Sequence, residues 1–346
     1  MTQAPQQIDL FLSDIARAPL KNDRVLMEFP FFSIQKSPRH EPMVFINGDT
    51  QIRIEPGPKG IATVWDKDIL IYLQTIINDR IEKGLTVQRM IRFSAYDCLK
   101  VTGRGTGKHS YDLFINALDR LRSTNIVTNI TSGNQRERGG FGWIESWRII
   151  EEEKSDGRFI MKAVEVTLND WMFRALVNDR RVLSINEDYF SIKGGLERRL
   201  YELARKHCGR QSRWTISLEK LAEKCGTTRE ARKLKADILA MQKKQPLPDY
   251  TIKIDEGRRR GQKISAQTVI FAPLTPVKTV YKRANLNISE ATYSEAVRLY
   301  PGYDIEFICN AWKEWAKNKQ HPQKPDQAFL AFCKKYASDN PILACG

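Results

Sequence analysis

The segment TREARKLKADIL (Thr228–Leu239) is the most informative of the chain, because its apolar residues recur at the spacing of an amphipathic helix. Three further segments follow it: YTIKI (Tyr250–Ile254), DEGRRRGQK (Asp255–Lys263) and ISAQTVIF (Ile264–Phe271). The first and third of these are rich in β-branched and aromatic residues, and the one between them is rich in Gly and Arg. They therefore predict two strands joined by a turn. A helix followed by a hairpin with three arginines at its tip is typical of a winged helix-turn-helix.

Positive charge is concentrated around these segments. Between Lys193 and Lys263, twenty Lys or Arg residues stand against nine Asp or Glu residues, so this part carries most of the formal +15 of the 346-residue chain. A sequence pI near 9.5 indicates an acidic partner, and the arginine-rich tip suits a phosphate backbone. We therefore predict that the chain binds double-stranded DNA.

The composition excludes several other classes of protein. A hydrophobic content of 41% with 28% charged residues is typical of a globular protein and not of a disordered basic one. No apolar run approaches eighteen residues, and the N-terminus lacks the basic and apolar regions of a signal peptide. Six scattered cysteines without a CxxC pair predict reduced thiols. These features predict a cytoplasmic protein with no membrane association.

The order helix, strand, helix, turn, helix, hairpin can be read twice along the chain, which predicts an internal repeat of architecture. The predicted fold class is α+β, with two tandem winged helix-turn-helix domains and a small helical C-terminal tail. The predicted boundaries are a flexible N-terminal arm at 1–26, a first winged-helix domain at 27–182, a second at 183–273, a linker at 274–288 and a helical region at 289–346. In the aromatic tail, Phe307, Trp312 and Trp315 fall on one helix face, which favours a small core over a protein docking surface.

The candidate base-reading residues lie at the start of the third helix of each unit, because that turn of a helix-turn-helix is closest to the base edges. In the second unit they are Thr227, Thr228, Arg229, Arg232, Lys233 and Lys235. In the first unit they are Arg104, Lys108, His109, Ser110, Tyr111 and Asn116. The alternative for each of them is a solvated helix face. Arg120 and Arg122 lie later in the third helix of the first unit and are predicted to contact the DNA backbone or water.

The two hairpin tips are candidate phosphate contacts. Three consecutive arginines repel one another in the free protein, so they are poorly explained as a stabilising device. The candidates in the second hairpin are Arg258, Arg259, Arg260 and Lys263. In the first hairpin, predicted between Ile126 and Trp147, they are Arg136 and Arg138, with Glu137 between them. The first unit is also the less basic of the two.

Enzymatic chemistry finds little support in the sequence. The loop Gly103–Ser110 resembles a phosphate-binding loop, but Thr102 stands where the first Gly is required and His109 where the Ser or Thr is required. The four histidines lie far apart without zinc-ligand spacing, and no clustered carboxylates suggest a two-metal site. We therefore predict a protein that is not an enzyme and needs no cofactor or metal.

Several long segments resemble the plasmid replication initiator protein A family. They are GIATVWDKDILIY (Gly60–Tyr72), GRGTGKHSYD (Gly103–Asp112), ALDRLRST (Ala117–Thr124), GGLERRLYELARKH (Gly194–His207) and QPLPDY (Gln245–Tyr250). The resemblance runs from about Phe29 to Pro273, and short segments of the tail resemble the end of longer members.

The resemblance implies a non-enzymatic initiator that binds repeated double-stranded sites, called iterons, at a plasmid origin. It further implies opening of the adjacent duplex, recruitment of a host initiator and replicative helicase, and a switch between monomer and homodimer with autorepression. A winged-helix transcriptional regulator without initiator activity is the alternative within the same physical class. A relaxase or nuclease is the competing class.

Overall fold

The computed structural model describes residues 18–130, 139–153, 155, 157, 159–179, 182–209, 211–255, 263–274, 288–300, 303, 305–317 and 325–339. Residues up to Pro276 form one compact unit, and residues from Val277 form another. The first compact unit contains helices and antiparallel sheets around two hydrophobic cores. It is therefore a mixed α and β structure, as the sequence predicts.

The N-terminal part of the chain begins with β1 (Lys21–Asp23), α1 (Arg24–Glu28), β2 (Met43–Asn47) and β3 (Thr50–Glu55). The prediction of a flexible arm at 1–26 is wrong for residues 18–26, and residues 1–17 lie outside the described part. Strand β1 pairs with residues 182–184, and the backbone N–H of Asp23 donates to Gln74 Oε1 at 2.9 Å. Asp23 also caps α1 through its carboxylate. Three-residue strands and caps of this kind leave too short a pattern to be recognised in a sequence.

The aromatic residues of Phe29–Ser33 favour a strand, but the segment does not form one. Phe31 and Phe32 are buried because their rings pack on Trp143, with centroids at 5.3 and 4.7 Å. Ser33 makes only an isolated bridge to Thr63. The apolar run is thus explained by ring packing in the core instead of a ladder of strand hydrogen bonds.

Helix α2 (Lys67–Glu82) is buried on all sides over most of its length. Ile69 and Leu70 belong to the first core, whereas Ile71 belongs to the second. The helix therefore joins the two cores within the compact unit. Its apolar residues recur at helical spacing, so the sequence predicts a helix between Asp66 and Gly84.

After α2 come β4 (Met90–Phe93), α3 (Ala95–Val101) and α4 (Lys108–Ser123), as the sequence predicts. Ser94 caps α3, since its hydroxyl accepts a hydrogen bond from the backbone N–H of Asp97. Gly103 has a φ of +67° in the turn that follows α3. The buried face of α4 consists of Phe114, Ala117, Leu118 and Leu121.

The next strands are β5 (Asn125–Thr128), β6 (Gly139–Phe141), β7 (Ile144–Glu153) and β8 (Phe159–Leu168). The predicted pairing of Ile126–Thr131 with Phe141–Trp147 is wrong in its second half. β5 pairs with β6 in a four-stranded sheet of order β2-β3-β5-β6, whereas β7 pairs with β8 in a separate sheet of order β4-β8-β7. Between β6 and β7 the chain changes sheet, and the buried Trp143 lies at this change.

The second half of the compact unit begins with α5 (Asp170–Val177), β9 (Val182–Ser184) and a 3₁₀ turn at Glu187–Ser191. It continues with α6 (Gly195–Cys208), β10 (Trp214–Ser217), α7 (Leu218–Cys225), α8 (Ala231–Lys244), β11 (Tyr250–Asp255) and β12 (Thr268–Pro273). The predicted strand Ile264–Phe271 is wrong in its first part, because Ile264–Ala266 forms a 3₁₀ turn. β10, β11 and β12 form a sheet of order β10-β12-β11.

An order of elements occurs twice in this unit. The first set consists of α2, β4, α3, α4, β7 and β8, and the second consists of α6, β10, α7, α8, β11 and β12. In the sheet of each set, the third strand lies between the first and the second. The first set differs by an inserted pair of strands, β5 and β6, between α4 and β7. The element order read from the sequence thus occurs twice, but the hairpin of the first set is β7–β8 and not the predicted pairing of Ile126–Thr131 with Phe141–Trp147.

The second compact unit contains α9 (Glu290–Leu299), α10 (Ile305–Lys317) and α11 (Pro325–Asp339). Its small core includes Ile308, Trp312 and Phe329, while the Trp315 ring lies 5.6 Å from that of Phe332 and is 43% exposed. A small helical core is thus present, as expected.

The cysteines of the described part, Cys98, Cys208, Cys225, Cys309 and Cys333, are free and buried. Burial raises the pKa of Cys208 to about 11 and that of Cys225 to about 12, so these thiols stay protonated near neutral pH. Within the described residues, no helix is both long and apolar enough to cross a membrane.

Candidate nucleic-acid interface

The turn between α7 and α8 sets the position of the second candidate helix. α7 ends at Gly226, whose φ of +64° is a left-handed conformation that favours glycine. The side chains of Leu234, Ile238 and Met241 anchor α8 in the second core. The opposite face of α8 is therefore directed away from the core.

The predicted residues of the second unit are spread over the turn and the outer face of α8. Thr228, Arg229, Arg232 and Lys233 are exposed, whereas Thr227 and Lys235 are half-buried. The helix begins at Ala231, later than the predicted segment Thr228–Leu239, so Arg229 lies in the turn and forms an ion pair with Asp237. Arg232 and Lys233 thus form an exposed basic pair in the first helical turn of α8.

The first candidate helix, α4, has a smaller basic end. Lys108 and His109 are exposed in its first turn, and Ser110 and Tyr111 are half-buried beside them. Asn116 lies further along, where its Oδ1 accepts a hydrogen bond from Lys59 Nζ at 2.7 Å. The structure therefore places Lys108 and His109 at the helix start, as predicted, and gives Asn116 a partner within the protein.

The N-terminal ends of both helices lack a side-chain cap. Gly107, which precedes α4, has no side chain to act as a cap. Glu230, which precedes α8, makes no side-chain hydrogen bond to a backbone N–H of the first turn. Backbone N–H groups at a helix start attract anions because they carry the positive end of the helix dipole. Both ends therefore offer N–H donors beside their basic side chains.

Two arginines of the first unit have internal partners. Arg104 Nη2 lies 3.0 Å from Asp68 Oδ2 and also donates to the backbone oxygen of Trp65. Arg120 donates to both oxygens of Asp66, from Nε and Nη2, at 2.7 Å each. These bonds with Asp66 raise the pKa of Arg120 further above its ordinary value.

These pairs change the interpretation of both side chains. Arg104, a predicted base reader, is engaged in fixing the turn before α4 against α2. The prediction that Arg120 contacts backbone or water is wrong, because the Asp66 carboxylate takes up its guanidinium. Arg122, by contrast, is exposed.

The predicted hairpin tips lie largely outside the described residues. This applies to Arg136 and Arg138 and to Arg258, Arg259 and Arg260; Lys263 is described and is exposed. β11 and β12, which flank the second tip, pair from Tyr250↔Pro273 to Asp255↔Thr268. The predicted hairpin is therefore present, although its second strand is shorter than expected.

In the first unit, the hairpin equivalent to β11–β12 is β7–β8, which sequence reasoning missed. It is the one whose strands share a sheet with β4 in the same order as β10, β11 and β12. Residues 154–158 connect its strands and include Lys154 and Arg158, but they follow three exposed glutamates, Glu151, Glu152 and Glu153. The long β-rich run up to Glu153, followed by Ser155-Asp-Gly157, was the signal that could have found it.

A buried network of charges connects the two cores and was also missed. Lys67 Nζ lies 2.8 Å from Glu202 Oε1, and Arg198 Nη1 lies 2.5 Å from Asp68 Oδ1. Arg199 donates to the backbone oxygens of Met27, Glu28 and Lys224 at 2.8 to 3.0 Å. These bonds join the elements that carry α4 to those that carry α8.

Burial alone would raise the pKa of Glu202, but it is held below its ordinary value. The charges of Lys67 and Arg199 outweigh the effect of burial, and hydrogen bonds from Lys67 and Tyr189 add to them. Glu202 is therefore an anion inside the protein. Among the described residues, no group of three or more His, Cys, Asp or Glu side chains is arranged to hold a metal ion.

Comparison with known proteins assigns the chain to a family. Residues 21–252 match the family described as RPA, replication initiator protein A. The chain belongs to the replication initiator protein A family. A relative from Wigglesworthia glossinidia brevipalpis, named "Putative replication protein", is 38% identical over 242 residues, which cover 69% of this chain and 86% of the relative.

Solved structures resemble the fold at low sequence identity. The crystal structure of domains 2 and 3 of RctB aligns with a TM-score of 0.53 and 14% identity, over 72% of this chain and 98% of that one. The crystal structure of the Pi initiator protein in complex with iteron DNA aligns with a TM-score of 0.43 and 14% identity, over 61% of this chain and 91% of that one. At such identities the RctB likeness concerns the fold alone.

Proposed function

We propose that this chain is a plasmid replication initiator that binds repeated double-stranded DNA sites at its origin through two winged-helix units. The main observation behind this proposal is the set of elements that occurs twice. In each set the third strand lies between the first and the second, and the candidate helix starts with exposed basic residues. Membership of the replication initiator protein A family supports the same function. In this proposal DNA is the partner, and neither a reaction nor a cofactor is involved.

In the proposed complex, α4 and α8 enter successive major grooves about one helical turn apart. The exposed guanidinium of Arg232 suits a guanine edge, to which arginine can donate two hydrogen bonds. Lys108 and Lys233 suit either a base edge or a phosphate. The uncapped helix starts add N–H donors for the DNA backbone.

The second unit supplies the stronger contact in this proposal. Its hairpin tip contains Arg258, Arg259 and Arg260, which we assign to the phosphate backbone. The hairpin of the first unit carries Glu151, Glu152 and Glu153 next to its tip, which would repel phosphates. We therefore assign backbone clamping to the second hairpin and not to the first.

Promotion of origin opening, recruitment of a host initiator and helicase, and a homodimer that represses the gene complete the proposal. They rest on the resemblance to the replication initiator protein A family. The competing proposal is a winged-helix transcriptional regulator that binds an operator without starting replication. Both versions use the same DNA-binding surface.

A propagation experiment separates initiator from regulator. The gene is supplied in trans to a plasmid that carries only the DNA flanking it and a selectable marker. Maintenance of that plasmid supports the initiator, whereas binding to the same DNA without maintenance favours the regulator. Reproducible metal-dependent nicking of supercoiled origin DNA would instead indicate an enzyme and overturn both.

A salt titration tests the backbone clamp. If roughly six to eight phosphates are neutralised, log K falls against log salt with a slope of about −5 to −7. Replacing Arg258, Arg259 and Arg260 with Ala should flatten the slope and weaken specific and non-specific DNA alike. An unchanged slope would show that the tip does not contact phosphates.

A second substitution tests base reading by α8. Arg232→Ala should relax the preference for the recognised site by about 1–3 kcal/mol, because a bidentate contact to one base is lost. Lys244→Ala, at the exposed C-terminal end of α8, is the matched control and should leave the preference unchanged. Equal preference in the parent and in Arg232→Ala would remove that residue from the reading surface.

A further inference from the structure

A bridging segment, residues Ile34–Arg39, runs between the two sets of elements. Hydrogen bonds hold Ser33, the residue just before it, and Arg39, its last residue, to the first core: the N–H of Val64 donates to Ser33 O at 2.9 Å, and the N–H of Ile61 donates to Arg39 O at 2.8 Å. The segment has no helix or strand of its own. Its backbone is thus fixed at both ends by hydrogen bonds with residues about 20 to 30 positions away in the sequence.

Two glycines, Gly60 and Gly195, lie in close contact with the backbone of the bridging segment. A Cβ added to Gly195, at the start of α6, would lie 2.1 Å from the backbone oxygen of Ile34. A Cβ added to Gly60, whose φ is +83°, would lie 3.1 Å from the backbone nitrogen of Arg39. The segment is therefore wedged between the first unit and the second, and its backbone has little freedom to move.

Two surface grooves meet at this segment. One lies in front of the start of α4 and is lined by Lys36, Pro38, Trp65, Arg104, Ser110 and Leu113, among others. The other lies in front of the turn before α8 and is lined by Lys36, Arg39, Trp65, Thr227, Thr228 and Arg229, among others. Lys36 and Trp65 line both grooves. The segment thus lies between the two proposed DNA-reading helix starts.

The cations of the bridging segment differ from their neighbours in being unpaired. Within the described part of the chain, neither Lys36 nor Arg39 forms an ion pair, whereas Lys59, Arg104 and Arg120 nearby each bind a carboxylate. Lys36 Nζ lies 5.7 Å from the centroid of the Trp65 ring, which can orient the ammonium. Arg39 Nε donates to the backbone oxygen of Glu41 at 3.2 Å, which leaves other guanidinium donors.

We propose that the bridging segment is a third DNA contact, in which Lys36 and Arg39 bind backbone phosphates between the two major grooves entered by α4 and α8. This inference rests on the proposed DNA-binding function. Two helices in successive major grooves leave a stretch of sugar-phosphate backbone between them. Unpaired cations on a rigid segment suit that position, because little conformational entropy is lost when they bind.

The test compares the full-length parent with Lys36→Ala/Arg39→Ala on a random-sequence duplex at several salt concentrations. Loss of two phosphate contacts should make the salt slope about 1.8 less steep. The variant should therefore bind more weakly at low salt, and should lose about 12-fold less affinity than the parent between about 50 and 200 mM salt. Lys36→Arg/Arg39→Lys keeps both charges and should retain the parental slope.

The control variant is Lys83→Ala/Lys162→Ala, which removes the same charge from two exposed positions outside both grooves. It should leave the slope unchanged, and equal melting temperatures should show that all variants are folded. A parental slope in Lys36→Ala/Arg39→Ala, or an equal change in the control, would overturn the third contact while DNA binding itself stands. A parent with no salt-dependent binding to the duplex would overturn the proposed function as well.

Discussion

Lys67 Nζ and Glu202 Oε1 lie 2.8 Å apart, and both side chains are almost completely buried. Lys67 begins α2 and Glu202 lies in the middle of α6, so the pair joins the first helices of the two repeated sets of elements. The Tyr189 hydroxyl donates to the same carboxylate oxygen at 2.7 Å, and Arg199 Nη1 lies 3.2 Å from the other oxygen. This buried network thus connects the set of elements that contains α4 to the set that contains α8.

Removing one member of this pair should destabilise the folded protein. Lys67→Met leaves Glu202 buried without its nearest cation, so the free energy of unfolding should fall by about 3–5 kcal/mol, measured by urea denaturation. Lys67→Met/Glu202→Gln removes both charges and should cost less than the single change. A single variant that is at least as stable as the double variant would contradict the assigned coupling.

Arg104 and Lys108 should separate stability from DNA binding. Arg104→Ala removes a partner of the buried Asp68 and should lower the free energy of unfolding by about 1–3 kcal/mol. Lys108→Ala should change stability by less than about 0.5 kcal/mol and make the salt slope of DNA binding about 0.9 less steep. Thermal denaturation and a binding titration on each variant provide the comparison, and the reverse pattern would refute the internal role of Arg104.

Gly226 and Gly84 form a matched pair of left-handed glycines. Gly84→Ala meets open space at a φ of +70° and should cost roughly 1–2 kcal/mol of stability from backbone strain alone. Gly226→Ala has the same strain, but its Cβ would also lie 2.8 Å from Pro30 Cβ and 2.9 Å from Met43 Cε, which adds about 1–3 kcal/mol. Urea denaturation should rank Gly226→Ala below Gly84→Ala, and equal losses would argue against close packing of this turn.

Glu28 should contribute to stability in a pH-dependent way. Burial alone would raise its pKa, but hydrogen bonds with His207, Lys224 and Lys206 hold the pKa well below the ordinary value of 4.5. A lowered folded-state pKa gives stabilisation that is present above pH 4.5 and is lost as the pH falls below it.

The measurement is the melting temperature of the parent and of Glu28→Gln at pH 7 and at pH 3. The parent should lose more of its melting temperature on acidification than the variant does. Identical pH dependence in both proteins would show that Glu28 does not contribute in this window.

Much of the fold could be predicted from local patterns. Helical spacing of apolar residues placed α2, α4 and α6, and a serine before an amphipathic run marked the start of α3. Strand errors arose where the deciding interactions were long-range. Phe31 and Phe32 are buried by Trp143, more than one hundred residues away, and the change of sheet near Trp143 left no local signal.

The candidate site was predictable in outline only. Exposed basic residues at the starts of α4 and α8 follow from helix geometry, so Lys108 and Arg232 could be placed. The internal pairing of Arg104 and Arg120 could not, since their carboxylates lie 36 and 54 residues away in the sequence. The bridging segment could not be found either, because its position depends on how both units pack around it.

A hydroxyl-radical footprint of the purified chain on the DNA flanking its gene would test the two-helix mode of DNA binding directly. Binding by α4 and α8 predicts repeated sites, each with two protected patches about 10–10.5 base pairs apart, centre to centre. A single patch in each site, or no protection at all, would contradict it.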